Sequence, residues 1–307
     1  MEITKELKKR FCKDCNLPIK LYDEPYFSDR LQLFETRYNA ASKYEVFKKE
    51  LERFKSEQEY FEYYNSVKDK AISSIKQTEA YMEFNIYKMD RFAVNTSIPN
   101  KSIFKETLVN KRLVSIDLAK GCFAAMKYFN KAMVNNCRTY EEFIGQFTDM
   151  EHIKNSKYIR QVIFGNCNPR RQTTIEKYLV GTLLNLLLNK GLDESRVVAF
   201  MDDEIVIDVD GLPDQVISDI KTSVEATQTV YNIDFHFEVF TIKKIANTPV
   251  YLKILEGGGV KVKGADSVWA TLLERKLNNQ EITESDLVFE TNGLLAKFIT
   301  IPRIELP

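Results

Sequence analysis

Residues Arg196–Val209 read RVVAFMDDEIVIDV, and this stretch decides the fold. Two β-branched, apolar runs flank a short acidic segment, which predicts a β-hairpin with Asp202, Asp203 and Glu204 at its turn. An acidic turn alone is ordinary turn chemistry. The flanks VVAF and IVIDV, however, are too apolar for an exposed hairpin, so the acidic tip is expected on a buried sheet. Upstream, Leu108–Leu118 contains LVSIDL, a second apolar strand, and Asp117 stands near its end. Carboxylates at the end of one strand and the tip of a neighbouring hairpin can converge. Asp117, Asp202 and Asp203 are therefore the expected ligands of two Mg²⁺ ions, which prefer oxygen donors and which Mn²⁺ can replace. Glu204 joins them as a catalytic candidate.

The rest of the chain is read outward from this hairpin. Asp214–Thr229 is an amphipathic helix, with Val216, Ile217, Ile220 and Val224 on one side. Phe235–Lys244 alternates at period two and is a strand. Val250–Leu255 and Val260–Val262 form a second hairpin around Gly257–Gly259. Upstream, Ala119–Met133 and most of Tyr140–Phe164 are helical. Gln172–Asn189 is a buried helix closed by Lys190-Gly191, a good C-terminal cap. Beyond Ser267 a helix and a closing strand at Phe298–Ile301 are expected. In residues 1–100, Tyr44, Phe47, Leu51 and Phe54 repeat at three and four residues, and Tyr60, Phe61, Tyr64 and Val67 continue the stripe. That predicts one charged helix of about 30 residues. A turn-rich segment, NTSIPNK, marks a composition shift at Asn95–Lys101. The expectation is an α+β protein. An antiparallel sheet with packed helices occupies 101–266, a mainly helical region precedes it (1–100), and a helix and tail follow (267–307).

Composition narrows the function classes. The chain has 307 residues, 44% of them hydrophobic, which is enough for a substantial core. Lys+Arg and Asp+Glu both number 44, which argues against a simple basic coat for nucleic acid and leaves only local patches. No run of 18 apolar residues is present, so no membrane partner is expected. The charged start, Glu2–Lys9, does not resemble a secretory signal, and the five scattered cysteines suit a reducing compartment. The expected location is cytoplasmic. Cys12 and Cys15 form a single CxxC with no second pair, which is a poor zinc site. The two histidines, His152 and His236, supply little acid–base chemistry. Lys154, Lys157 and Arg160 recur every three residues and are expected on one helix face, followed by Arg170 and Arg171, with Lys120 close to Asp117. Lys243, Lys244, Lys253, Lys261 and Lys263 cluster around the second hairpin, where they could contact a phosphate backbone or protect a sheet edge.

Three segments in order carry a resemblance. VVAFMDDEIVIDV resembles the third catalytic motif of palm-domain nucleic-acid polymerases. Asp202-Asp203-Glu204 fills the acidic hairpin of family A, and Phe200-Met201-Asp202-Asp203 fits the aromatic-x-Asp-Asp of reverse transcriptases. SIDLAKGCFAAM is similar to the first motif, sharing Asp117, Phe123 and Met126 with the family B form. Between them, Arg160 to Phe164-Gly165 resembles the fingers-helix motif. The Lys-rich hairpin resembles the segment that follows the third motif in family B. The likeness covers about residues 108–264. The spacing of Asp117 and Asp202 is compact, as in reverse transcriptases, and the elements after Asp202 suit family A, so no single polymerase family is assigned.

This resemblance implies a palm with a short fingers insertion at about 134–190. It implies a template-dependent DNA or RNA polymerase working by two-metal phosphoryl transfer. Lys154, Lys157, Arg160, Phe164, Arg170 and Arg171 would bind the nucleoside triphosphate. Lys243, Lys244, Lys253, Lys261 and Lys263 would bind template and primer. The short chain leaves room for a partner protein subunit. A metal-dependent nuclease using the same carboxylates, and a non-catalytic nucleic-acid-binding subunit, are the alternatives.

Overall fold

The computed structural model describes residues 2–98, 100–246, 248–291 and 293–307. Six strands form one antiparallel sheet: β1 (Arg112–Leu118), β2 (Val197–Phe200), β3 (Glu204–Asp208), β4 (Phe235–Lys244), β5 (Tyr251–Leu255) and β6 (Val260–Lys263). Their order is β2-β3-β1-β4-β5-β6. The class is α+β, as expected. β1 lies between β3 and β4, both remote from it in sequence. The first four strands and the helices between them make a β-α-β-β-α-β unit. Its first crossover is long and runs through the helices Gly121–Phe129, Lys157–Gly165 and Pro169–Asn189. Its second is the single helix Asp214–Tyr231.

Strand side chains alternate between faces, and the two faces of this sheet differ. Val114, Ile116 and Leu118 of β1 point with Ile205 and Ile207 of β3 into the helices, in a buried cluster that runs from Leu7 to Ala270. Leu113, Val206, Phe240 and Ile242 point the other way, where Ile103 and Leu108 from the preceding segment cover them. Ser115 and Asp117 follow Leu113 on that second, more open face. A third cluster packs Val250 and Leu252 against Leu272 and Leu273 of the helix Ser267–Leu277.

The N-terminal region is helical, but the long helix expected across Tyr44–Val67 is two, Ala40–Leu51 and Glu57–Lys76. Ser56 interrupts it. Its hydroxyl accepts from the Glu59 amide at 3.2 Å, a better N-terminal cap than helix continuation allows. The apolar stripe survives the break, because Phe47, Leu51, Tyr60, Tyr64 and Val67 are all buried in the main cluster. The helix Pro169–Asn189 closes as expected. Gly191 takes φ +97°, a left-handed turn that glycine enters without steric cost. In the tail, the strand expected at Phe298–Ile301 is absent. A two-stranded ribbon, β7 (Val288–Thr291) with β8 (Leu294–Lys297), stands just before it, and Phe298 packs on the rings of Trp269 and Phe289.

Polar joints tie the N-terminal helices to the rest. Asp14, 1% exposed, accepts from the Tyr64 hydroxyl at 2.7 Å and the Ser156 hydroxyl at 2.8 Å, and His152 Nε2 lies 3.0 Å away. Ser156 in turn accepts from the Ile159 amide and so caps the helix Lys157–Gly165. Glu50 accepts from the amides of Glu151 and His152. At the other end, buried Asp286 receives Arg30 and Arg275, each at 3.0 Å.

Replacing Asp14 orphans a buried tyrosine, serine and histidine together. Asp14→Ala is expected to cost about 2–4 kcal/mol. Denaturant titration would show this as a lower midpoint at unchanged slope, and a loss below about 1 kcal/mol would show that the joint is weak.

Candidate active site

The register of the sheet assembles the acidic site. Asp117 on β1 is paired with Glu204 on β3 and with His236 on β4. Directly opposed residues in an antiparallel pair project to the same face, about 5 Å apart at Cβ. Asp117 and Glu204 are therefore cross-strand neighbours on the open face, with Ser115 and Glu238 one step further along it. The Ser115 hydroxyl donates to the Glu204 carboxylate. The hairpin turn holds Asp202 and Asp203, closed by the Met201 amide donating to the Glu204 carbonyl at 2.8 Å. The Leu118 amide donates to the Asp203 carbonyl at 2.8 Å, which sets Asp203 beside the end of β1. All four sequence candidates thus lie together, with Glu204 rather than Asp203 facing Asp117.

The electrostatics match this crowding. Burial pushes the Asp117 carboxyl up to about 7, and the negative charges of Asp203 and Glu204 add to the rise, against an opposing pull from Lys253.

Two clefts meet at Asp117. One, of about 230 Å³, opens toward the helices; the helix Lys157–Gly165 lends it Lys157, Arg160 and Phe164, and the turn after β1 lends Lys120, Gly121 and Cys122. Lys120 is held by both oxygens of Glu141. The other cleft, of about 400 Å³, lies on the open sheet face and is lined by Lys253, Lys261, Lys263 and Phe104. Lys253 is only 5% exposed and reaches Glu238 at 2.8 Å, and Lys261 pairs with the same carboxylate. Lys263 lies over the Phe104 ring.

Other basic candidates lie elsewhere. Lys154 does not share a helix with Lys157 and Arg160. The Ser156 cap starts a new helix, and Lys154 ends the previous one, paired with Glu151 at 2.6 Å. Arg171 donates to the Tyr87 carbonyl at 2.7 Å, and Arg170 is exposed; neither lines either of these two clefts. Lys244 pairs with Glu106. Lys243 falls on the opposite face of β4 by strand alternation, opposite Leu252. Cys12 and Cys15 are free thiols, and burial pushes Cys15 up to about 12.

One residue of the site escaped the sequence reading. Glu176, on the helix Pro169–Asn189, is 6% exposed and lines the helix-side cleft with Asp117 and Asp203. Burial pushes its carboxyl up to about 7; the Cys122 thiol pulls the other way, and the charges of Asp203, Asp202 and Asp117 add to the rise. The signal was available. Gln172, Glu176, Leu179 and Leu183 lie on one buried helix face, and an acid inside such a stripe is out of place.

Among the described residues, no set of three or more His, Cys, Asp or Glu side chains is positioned to hold a metal ion. No helix among them is long and apolar enough to cross a membrane. No protein-family model matches the chain, and no curated protein or solved structure matches it significantly.

Asp117 and Glu176 shape stability in one direction. Between about pH 4 and pH 7 each keeps, in the folded chain, a proton that it gives up on unfolding. Their contribution is complete below about pH 4 and is lost as pH rises through about 7. Without divalent ions, Glu176→Gln is expected to exceed wild type at pH 8 by about 1–3 kcal/mol, closing to nothing by about pH 4. Thermal melts at both pH values check this; an equal gap at both would assign the gain to packing.

Proposed function

We propose that the chain is a template-dependent nucleotidyltransferase that extends a nucleic-acid strand by two-metal-ion phosphoryl transfer. The observation that carries this reading is the pairing of Asp117 with Glu204 at the meeting point of two clefts, one bearing Lys157 and Arg160 and the other bearing three lysines. Phosphoryl transfer between two polyanions needs this layout: acids where the reacting oxygens meet, and cations on each side for the phosphates.

The donor set at the centre is all oxygen, which suits Mg²⁺ in kind. It does not form a cage of three or more side chains, so each ion would take one or two carboxylates from Asp117, Glu204, Asp203 and Asp202. Substrate phosphate and water would complete the shell. When bound, the ions supply activation of the attacking hydroxyl and stabilisation of the leaving oxygen.

The chain's own residues do the rest. Arg160 presents a planar fork of donors to phosphate oxygens, with Lys157 as a second positive charge in the same cleft. Phe164, one turn beyond Arg160, buries the back of that helix in the core and holds its angle. Across the sheet, Lys253, Lys261 and Lys263 offer contacts to a strand backbone, which position it without reading its sequence. Glu238 keeps Lys253 and Lys261 in place and lowers the net charge of that cleft. Tight, salt-dependent coating of nucleic acid is therefore not expected, and binding should rest on a few phosphate contacts.

Extension of a primed template with labelled nucleotide in Mg²⁺ tests the reading. Asp117→Asn and Glu204→Gln are each expected to lower the rate by about 10³-fold, and Arg160→Ala by about 10²-fold, with melting temperatures near wild type. Shortening of the primer by the wild-type chain would move the assignment to a nuclease. Neither extension nor shortening would end both.

A further inference from the structure

Glu176 takes no part in the chemistry just proposed, yet it is the most deeply buried acid at the site. Its Oε1 oxygen is enclosed and lacks a strong donor; the Cys122 thiol reaches the carboxylate only as a weak one. Buried polar atoms are nearly always paired, and an enclosed carboxylate oxygen without a strong donor points to a missing one. The surrounding chain makes room for it. A Cβ built on Gly121 would lie 3.1 Å from the Glu176 Cδ atom and 3.2 Å from Oε1, so the absence of a side chain at 121 lets the carboxylate approach the turn after β1.

The cleft limits what that donor can be. Lys157 and Arg160 line the same 230 Å³ space alongside Asp117 and Asp203, and they offer donors to the phosphate oxygens of a ligand. A divalent ion shared by Glu176 with Asp117 or Asp203 is one candidate, and its loss would weaken every nucleotide alike whatever its sugar. The other is a neutral O–H donor carried by the polyanion itself. In a nucleoside triphosphate the sugar hydroxyls stand in that relation to the phosphates.

We infer that Glu176 accepts a hydrogen bond from a sugar hydroxyl of the bound nucleoside triphosphate and makes that hydroxyl a condition of tight binding. The inference rests on the nucleotide reading above. A site built to hydrogen-bond a substrate hydroxyl rejects the analogue that lacks it, because the buried acceptor is then left unpaired.

The test is affinity, measured calorimetrically on the full chain with Mg²⁺ for adenosine triphosphate and its 2′-deoxy and 2′,3′-dideoxy forms. Wild type is expected to bind one hydroxylated form about 10- to 100-fold more tightly than the next form lacking that hydroxyl. The step at which the drop occurs identifies the 2′ or the 3′ group. Glu176→Ala should erase the drop by weakening the hydroxylated form and leaving the dideoxy form unchanged. Glu176→Asp, which withdraws the acceptor by one methylene and keeps the charge, should erase most of it, and either variant carries the test if the other does not fold. Equal weakening of all three nucleotides, or an undiminished drop in both variants, overturns the role of Glu176 and leaves the nucleotide reading standing. Failure of wild type to bind any of the three overturns both.

Discussion

The registration of β1 against β3 is the constraint on which the site depends. In an antiparallel pair the side-chain period is two, so slipping β1 by one residue would turn Asp117 and Ser115 into the helix-covered core and bring Ile116 out. The apolar partners Val114, Ile116, Ile205 and Ile207 forbid that slip, because all four are fully buried on the helix side. The apolar flanks of the acidic hairpin thus do more than fill the core. They hold the register that sets Glu204 opposite Asp117. β4 performs the same service on the other side of β1, and the long first crossover brings in both the cationic helix and Glu176.

Charge is then sorted over a short distance within a chain that has none overall. The acids sit at the centre, where burial raises Asp117 and Glu176 to about 7. The cations stand on two separate walls. On the sheet side they are already partly matched by Glu238, and on the helix side Arg160 reaches the Tyr140 ring rather than an acid. Such an arrangement works against the stability of the empty fold, as sites that handle charged substrates commonly do.

Much of this was legible in the sequence because strands with one apolar face announce themselves. The hairpin, β4 from Phe235 to Lys244, and the Gly257–Gly259 turn all follow from alternation and turn residues. What was missed has physical causes. The 30-residue helix failed at Ser56, where a local side-chain cap outweighed a continuous apolar stripe. Lys154 was separated from Lys157 by the same device at Ser156. Lys243 and Lys244 were grouped by proximity, although adjacent strand residues face opposite ways. Arg171 and Lys244 were taken by tertiary partners, Tyr87 and Glu106, which no local pattern reveals. Glu176 was hidden because a helix dense in leucine reads as core, and an isolated acid within it is easily passed over.

The joint at Asp14 also bears on how the chain acquires its shape. Asp14 and Ser156 are 142 residues apart in sequence. At about 5–20 residues per second of synthesis, the aspartate waits some 7–30 s for its serine. During that time Phe11 and Phe47 lack the His152 ring that packs on them in the finished molecule. Distant contacts of this kind slow folding, since the intervening loop must be closed before they reward it. The region that steadies the cationic helix in the finished molecule is therefore completed only late in synthesis.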